Sequence, residues 1–159
     1  MKQSLYLLLG ILVGTAEPYL ILYYPKISDY SKTIAVIHPT RNNSATDFVT
    51  FTKENNALRV HAELKDPSPG KHGFHIHELG DWSCAQGMCT KGHFNPANEP
   101  HDRRNNKRRH LGDMGNIVAD ENENGILDYL DNKMKINGPY SIIDWSVIVH
   151  ANADNSTNW

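Results

Sequence analysis

Residues 58–64 alternate without interruption, with Leu58, Val60, Ala62 and Leu64 set against Arg59, His61 and Glu63. A helix turning every 3.6 residues cannot place four such side chains on one face, whereas the period-two pleat of a strand does. One face then belongs to a core and the other to water, as in an antiparallel sheet. The run 33–38, closed by Pro39, and the run 47–52, followed by the turn residues Asn55 and Asn56, have the same short β-branched character. Residues 73–78, 115–119, 133–136 and 145–150 read as further strands. With no internal repeat and no amphipathic helix, seven short strands separated by turn signals predict an all-β sandwich or barrel.

A chain of 159 residues can bury one core and is too short for two. Its formal charge of -2 offers no broad basic field, so nucleic acid is not an expected partner. The N-terminus divides from the rest. Lys2 precedes an apolar run at 5–13 and the small residues Gly14, Thr15 and Ala16, the pattern of a secretory signal. Apolar character resumes at 19–24, so residues 5–24 also have the ~20-residue length of a membrane span, at the cost of the acidic Glu17. We therefore divide the chain into a hydrophobic leader, 1–31, and a domain, 32–159. The leader serves as a signal peptide, an anchor or an extra strand. Secretion or membrane anchoring follows from the first two, and a cytoplasmic location is the alternative. The sequons at Asn42 and Asn155 suit a secreted protein. Cys84 and Cys89 stand too far apart for a redox C-x-x-C, which leaves either a local disulfide or two free thiols.

Nine histidines carry the chemistry. In Gly73-Phe74-His75-Ile76-His77, a strand puts both imidazoles on one face, about 7 Å apart, where they can grip one metal ion or remain two surface histidines. Residues 79–111 then form a long stretch without periodicity, and a connection of that length in a compact domain is usually functional. It contains Gly92-His93-Phe94-Asn95-Pro96, His101 and His110, and Asp113 follows. His150 ends the last strand, with Asp154 four residues on.

The segments GFHIHE, GHFNP, HLGDMGN and VIVHANAD resemble those of the copper/zinc superoxide dismutases, in that family's order, over roughly residues 33–154. The resemblance implies a Greek-key β-sandwich or flattened barrel with long metal-binding loops. It implies copper held by His75, His77, His93 and His150, and zinc held by His93, His101, His110 and Asp113, with His93 bridging the two ions. Asp154 would link a copper ligand to a zinc ligand, and His72 would be structural. His38 and His61 fall outside the pattern. Superoxide would be the substrate, dismuted in two steps with His93 taking and returning a proton, and a homodimer is possible.

Members of that family continue past the Asp154 position with an arginine beside copper, a disulfide cysteine and a last strand. The sequence in hand ends at Trp159. The expectation is therefore an enzyme of reduced or unusual architecture, or alternatively a non-catalytic metal-binding homologue acting as decoy or sequestrant. Arg103, Arg104, Lys107, Arg108 and Arg109 either draw in the anion or form a solvated charged loop. Residues 120–131 fit a calcium-loop pattern, but strand flanks favour a polar hairpin loop. The run 19–24 is offered as a strand that lies beside the first strand of the barrel.

Overall fold

The computed structural model describes residues 6–9, 20–23, 29–81, 83–84 and 88–156. Strands β1 (Tyr6–Leu9) and β2 (Leu20–Tyr23) pair antiparallel as a two-stranded sheet of their own. Residues 20–23 of the run expected to join the barrel thus pair with residues 6–9, and they are not part of the seven-stranded sheet. That sheet comprises β3 (Lys32–Ile37), β4 (Thr46–Glu54), β5 (Ala57–Lys65), β6 (Gly70–His77), β7 (Asp113–Ala119), β8 (Asn124–Asp131) and β9 (Ser146–Val149). Its spatial order is β3-β4-β5-β8-β7-β6-β9, every pairing is antiparallel, and β9 returns alongside β3 so that the barrel nearly closes. The chain crosses from β5 to β6, and β8 then comes back beside β5, which is Greek-key topology.

Alternation sets the core. Leu58, Val60, Ala62 and Leu64 are all buried, opposite Val49 and Phe51 of β4. Ile117, Met114, Phe74 and Ile76 belong to the same cluster, as do Ile37, Phe94 and Leu111 and, from the connection between β8 and β9, Met134, Ile136 and Ile142. Among the described residues no helix is long and apolar enough to cross a membrane. The only helical piece among them is a 3-10 turn, Met88–Thr90.

One sequence expectation fails and another narrows in the same place. Residues 133–136 contribute only an isolated bridge, Lys135 to Ser141, and the sixth strand of the sheet in chain order is β8. Asp120 bonds the amides of Asn122 and Asn124 through its carboxylate, so the polar hairpin is confined to the turn before β8. The calcium-pattern residue Asp131 is buried at the end of that strand and paired with Arg109.

Candidate metal centre

Strand β6 is buried on both faces over its last six residues, because one face meets the core and the other is roofed by the long connection to β7. Two main-chain bonds stitch that roof to the strand at Ile76, and a third closes the roof on itself between Gly112 and Phe94. Phe94 donates to the Ile76 carbonyl at 2.7 Å, Gly112 to the Phe94 carbonyl at 2.9 Å, and Ile76 to the Gly112 carbonyl at 2.9 Å. Phe94 also stacks on Trp145, with centroids 4.8 Å apart. His93 is thereby fixed beside His77, with which it forms a bridge pair. Asp113 is the register partner of His75, and the amide of His150 donates to the Gly73 carbonyl at 2.8 Å. Three separate stretches of chain converge on β6.

Two groups of side chains result. His75, His77, His93 and His150 place their ligand atoms within 4.8 Å of one another, as do His93, His101, His110 and Asp113. His93 belongs to both. Its ring centroid is 4.0 Å from that of His75 on one side, and 5.1 and 5.4 Å from those of His101 and His110 on the other.

The second group converges on one carboxylate oxygen. Asp113 Oδ1 lies 2.8 Å from His93 Nδ1, 2.9 Å from His101 Nδ1 and 3.4 Å from His110 Nδ1. A tetrahedral zinc with bonds of about 2.0–2.1 Å keeps its ligand atoms about 3.3 Å apart, so the set is close to that shape. Three imidazoles and one carboxylate suit a closed zinc site, and four imidazoles suit the tetragonal preference of Cu(II).

Hydrogen bonds decide which ring nitrogen can bind metal. The Lys91 carbonyl can only accept, so His77 donates to it from Nδ1 at 2.7 Å and turns Nε2 towards His150 Nε2, 3.3 Å away. Asp154 accepts from His75 Nε2 at 3.1 Å and from His101 Nε2 at 3.0 Å, so one carboxylate orients a member of each group. His72 Nδ1 meets the His150 carbonyl at 2.8 Å and ties the start of β6 to the segment after β9.

Burial keeps most of these rings neutral, the form that offers a lone pair. It pushes His75 down to about 3 with help from His93, and His77 and His150 each down to about 4. His110 is lowered chiefly by burial as well. For His101 burial pulls down, but the carboxylates of Asp154 and Asp113 outweigh it and leave the ring raised. For Asp113 and Asp154 burial pushes up, and hydrogen bonds from the histidines reverse it, taking Asp154 to about 2.

Every residue that the sequence assigned to the two groups is therefore found in them, and Asp154 lies between them. Cys84 and Cys89 form a disulfide. The basic run divides. Arg103, Lys107 and Arg108 are exposed, and Arg108 pairs with Glu99 at 3.0 Å. Arg104 lies 4.6 Å above the Tyr129 ring. Arg109 is only 2% exposed and bonds the carbonyls of Arg104, His110 and Leu111 as well as Asp131, so it cannot steer an anion. Sequence reasoning missed that role, and also the Lys91 carbonyl, since a main-chain acceptor leaves no signal in side-chain identity. His61 is a surface residue between Glu63 and Asp128. An open groove of about 1720 Å³ runs along β9 past His38 and reaches His77, His93 and His150.

Residues 45–158 match the family model of copper/zinc superoxide dismutase (SODC). Over 129 residues, 80% of this chain, the sequence is 37% identical to a protein of Brugia pahangi named extracellular superoxide dismutase [Cu-Zn], of which the match spans 63%. It is also 37% identical to the superoxide dismutase [Cu-Zn] of Onchocerca volvulus, across 78% of this chain and 77% of that protein. The protein of the same name from Paramecium bursaria Chlorella virus 1 matches at 37% as well, over 67% of this chain and 57% of its own length. The solved structure described as that of the clock protein EA4 superposes with a TM-score of 0.76 at 33% identity, covering 84% of this chain and 83% of its own.

Proposed function

Because the chain belongs to the copper/zinc superoxide dismutase family, we propose that it converts superoxide to dioxygen and hydrogen peroxide at a copper site joined to zinc through His93. The observation that carries this reading is the position of His93 as the one side chain common to both groups. Copper held by His75, His77, His93 and His150 would supply the one-electron couple, with zinc held by His93, His101, His110 and Asp113.

The protein's own residues do the rest. Two superoxide ions and two protons become one dioxygen and one peroxide, so a proton must be held near the reacting oxygen. His93 would serve that task, because its Nδ1 faces Asp113 in the zinc group and the same ring belongs to the copper group. Asp154 keeps His75 and His101 in the tautomers that direct Nδ1 inwards, and Lys91 does the reverse for His77. The groove beside β9 gives a small anion its path to His77 and His150.

Residues 1–31 act in this reading as a leader to an exported domain, 32–159, with membrane attachment only where the leader is retained. A relative named extracellular and the Cys84–Cys89 disulfide support export, since disulfides persist in oxidising compartments. Ile34, Val36 and Phe48 stand exposed on the outer face of β3 and β4, with Val36 opposite Phe48, and support pairing of two copies.

Metal analysis combined with superoxide turnover tests the proposal. The purified chain should carry one copper and one zinc and should turn over superoxide. His93→Ala should lower the rate by ~10²-fold or more and perturb both metals, since loss of positioned proton transfer alone costs that much. Full metallation without turnover would overturn the enzyme reading in favour of a metal-binding homologue, and a zinc site untouched by His93→Ala would overturn the bridge.

A further inference from the structure

We propose that the Cys84–Cys89 disulfide positions His77, so that copper affinity at this centre depends on the redox state of that pair. The proposal rests on reading the four-histidine group as the copper site.

The rings around that site are held in different ways. His75 is oriented by the carboxylate of Asp154, and His93 by Asp113. His77 is the last residue of β6, and the orientation of its ring depends on a loop: Nδ1 donates to the Lys91 carbonyl at 2.7 Å, and Thr90 Oγ1 lies 3.3 Å from the same atom. The Lys91 carbonyl must therefore be kept in place. Lys91 itself has φ of +61°, a left-handed conformation that a residue with a β-carbon adopts only where its surroundings impose it.

Two features impose it. Leu79 donates to the Thr90 carbonyl at 3.1 Å and Glu78 to the Gly92 carbonyl at 2.9 Å, which lays 90–92 along the chain leaving β6. The second feature is the disulfide. Cys89 sits inside the 3-10 turn Met88–Thr90, immediately before Thr90 and Lys91, and is tied to Cys84 with Cα atoms 5.6 Å apart. The covalent tie thus fixes the turn that feeds the strained residue, whose carbonyl sets the ring. Both cysteines are half-buried, and Cys84 lines the same groove as His77 and Thr90, so a small reductant can reach it. An external dithiol would deliver two electrons and two protons, break the S–S bond to give two thiols, and be oxidised to its own disulfide.

The test uses the full chain loaded with zinc. Copper affinity is measured by competition with a chelator in the oxidised protein and in the double variant Cys84→Ser/Cys89→Ser. Loss of a group that orients a metal-binding histidine typically weakens binding 10- to 100-fold. The variant should show a copper dissociation constant weaker by about 10-fold or more, an altered Cu(II) electron paramagnetic resonance spectrum and unchanged zinc binding. Identical copper affinity and spectrum in the variant would overturn the proposal. Equal weakening of both metals would overturn it too, as a general loosening of the domain. A second measurement needs neither copper nor the variant. Long-range proton–nitrogen correlation in copper-free wild type should show the His77 Nδ1 proton held by its hydrogen bond, and reduction with alkylation should release that proton to exchange. A proton that stays held after alkylation counts against the clip even if the native chain proves unable to bind copper, a result that would sink the proposed function separately.

Discussion

Arg109 and Asp154 are both buried charges beside the metal groups, yet only one of them was legible in the sequence. Asp154 stands four residues after His150 and completes a segment that resembles a known pattern. Arg109 is one of five cations within seven positions, and composition gives no reason to separate it from its neighbours. Its role comes from its partners. The guanidinium bonds the carbonyls of His110 and Leu111 at 2.8 and 2.9 Å and pairs with Asp131, whose other oxygen accepts from the amides of Lys133 and Met134 at 2.8 and 2.9 Å. The pair thus ties the connection that carries His110 to the end of β8. Removing one member of such a pair leaves a buried, uncompensated charge, which costs about 3–5 kcal/mol. Arg109→Ala should therefore lower the unfolding free energy of the apoprotein by about that amount, and Arg109→Ala/Asp131→Ala should cost less than the sum of the single changes, because no lone charge remains. Urea denaturation of the three variants checks both statements, and strict additivity would show that the two side chains act independently.

At the level of elements, legibility followed the cleanness of the alternation. In β5 every second residue is apolar and buried, and the sequence located the strand to within one residue at each end. In β8 apolar residues occupy both faces: Leu127 and Tyr129 pack inwards, while Ile126 and Leu130 are 66% and 54% exposed. That pattern has no period of two, and the acidic and Asn-rich turn before it reads as a loop, so the strand was missed. The stretch 133–136 has apolar Met134 and Ile136 at strand spacing and so reads as a strand, although these residues plug the end of the core from a connection. Nor could the stitching of the roof onto β6 be read, because it uses main-chain atoms and one small residue. At Gly112 a methyl group would overlap the Ile76 carbonyl oxygen and crowd the Phe94 amide. Gly112→Ala must push the roof off the strand, at the ~1–3 kcal/mol usual for overpacking, and should weaken metal binding because His93, His110 and Asp113 all lie on the displaced segments. Thermal unfolding together with zinc titration reads out both effects. A variant with native melting temperature and native zinc affinity would mean that the contact relaxes without cost.

For the molecule as a whole, the metal groups make the apoprotein sensitive to acid, and the direction follows from which state takes up protons. In the unfolded chain histidines titrate near 6.5. Folded, His75 is held down to about 3 by burial and by His93, and His77 and His150 to about 4, with burial again the leading cause. Between pH 6.5 and about 4 the unfolded chain therefore binds protons that the folded chain refuses, and each such ring contributes up to about 1.4 kcal/mol of lost stability per pH unit. Asp154 adds to this at lower pH. Burial would raise it, but hydrogen bonds led by that of His101 bring it down to about 2, so its contribution is present above the ordinary carboxylate range and disappears as pH falls through 2. His101 works the other way, because its folded value is raised and its contribution is lost as pH rises. Four lowered rings, His110 among them, and the two lowered carboxylates of Asp113 and Asp154 outweigh one raised ring. The urea midpoint of the apoprotein should thus fall steeply from pH 6.5 to 4, and above pH 6.5 it should decline only by the single contribution of His101. Metal ions held by these groups would bind the neutral rings and compete with protons for the same lone pairs, so the metallated protein should hold its midpoint to lower pH before the same decline begins. A flat midpoint in the apoprotein across pH 6.5 to 4 would mean that these histidines are solvated and titrate normally without metal, and the preorganised centre described above would then form only when the ions arrive.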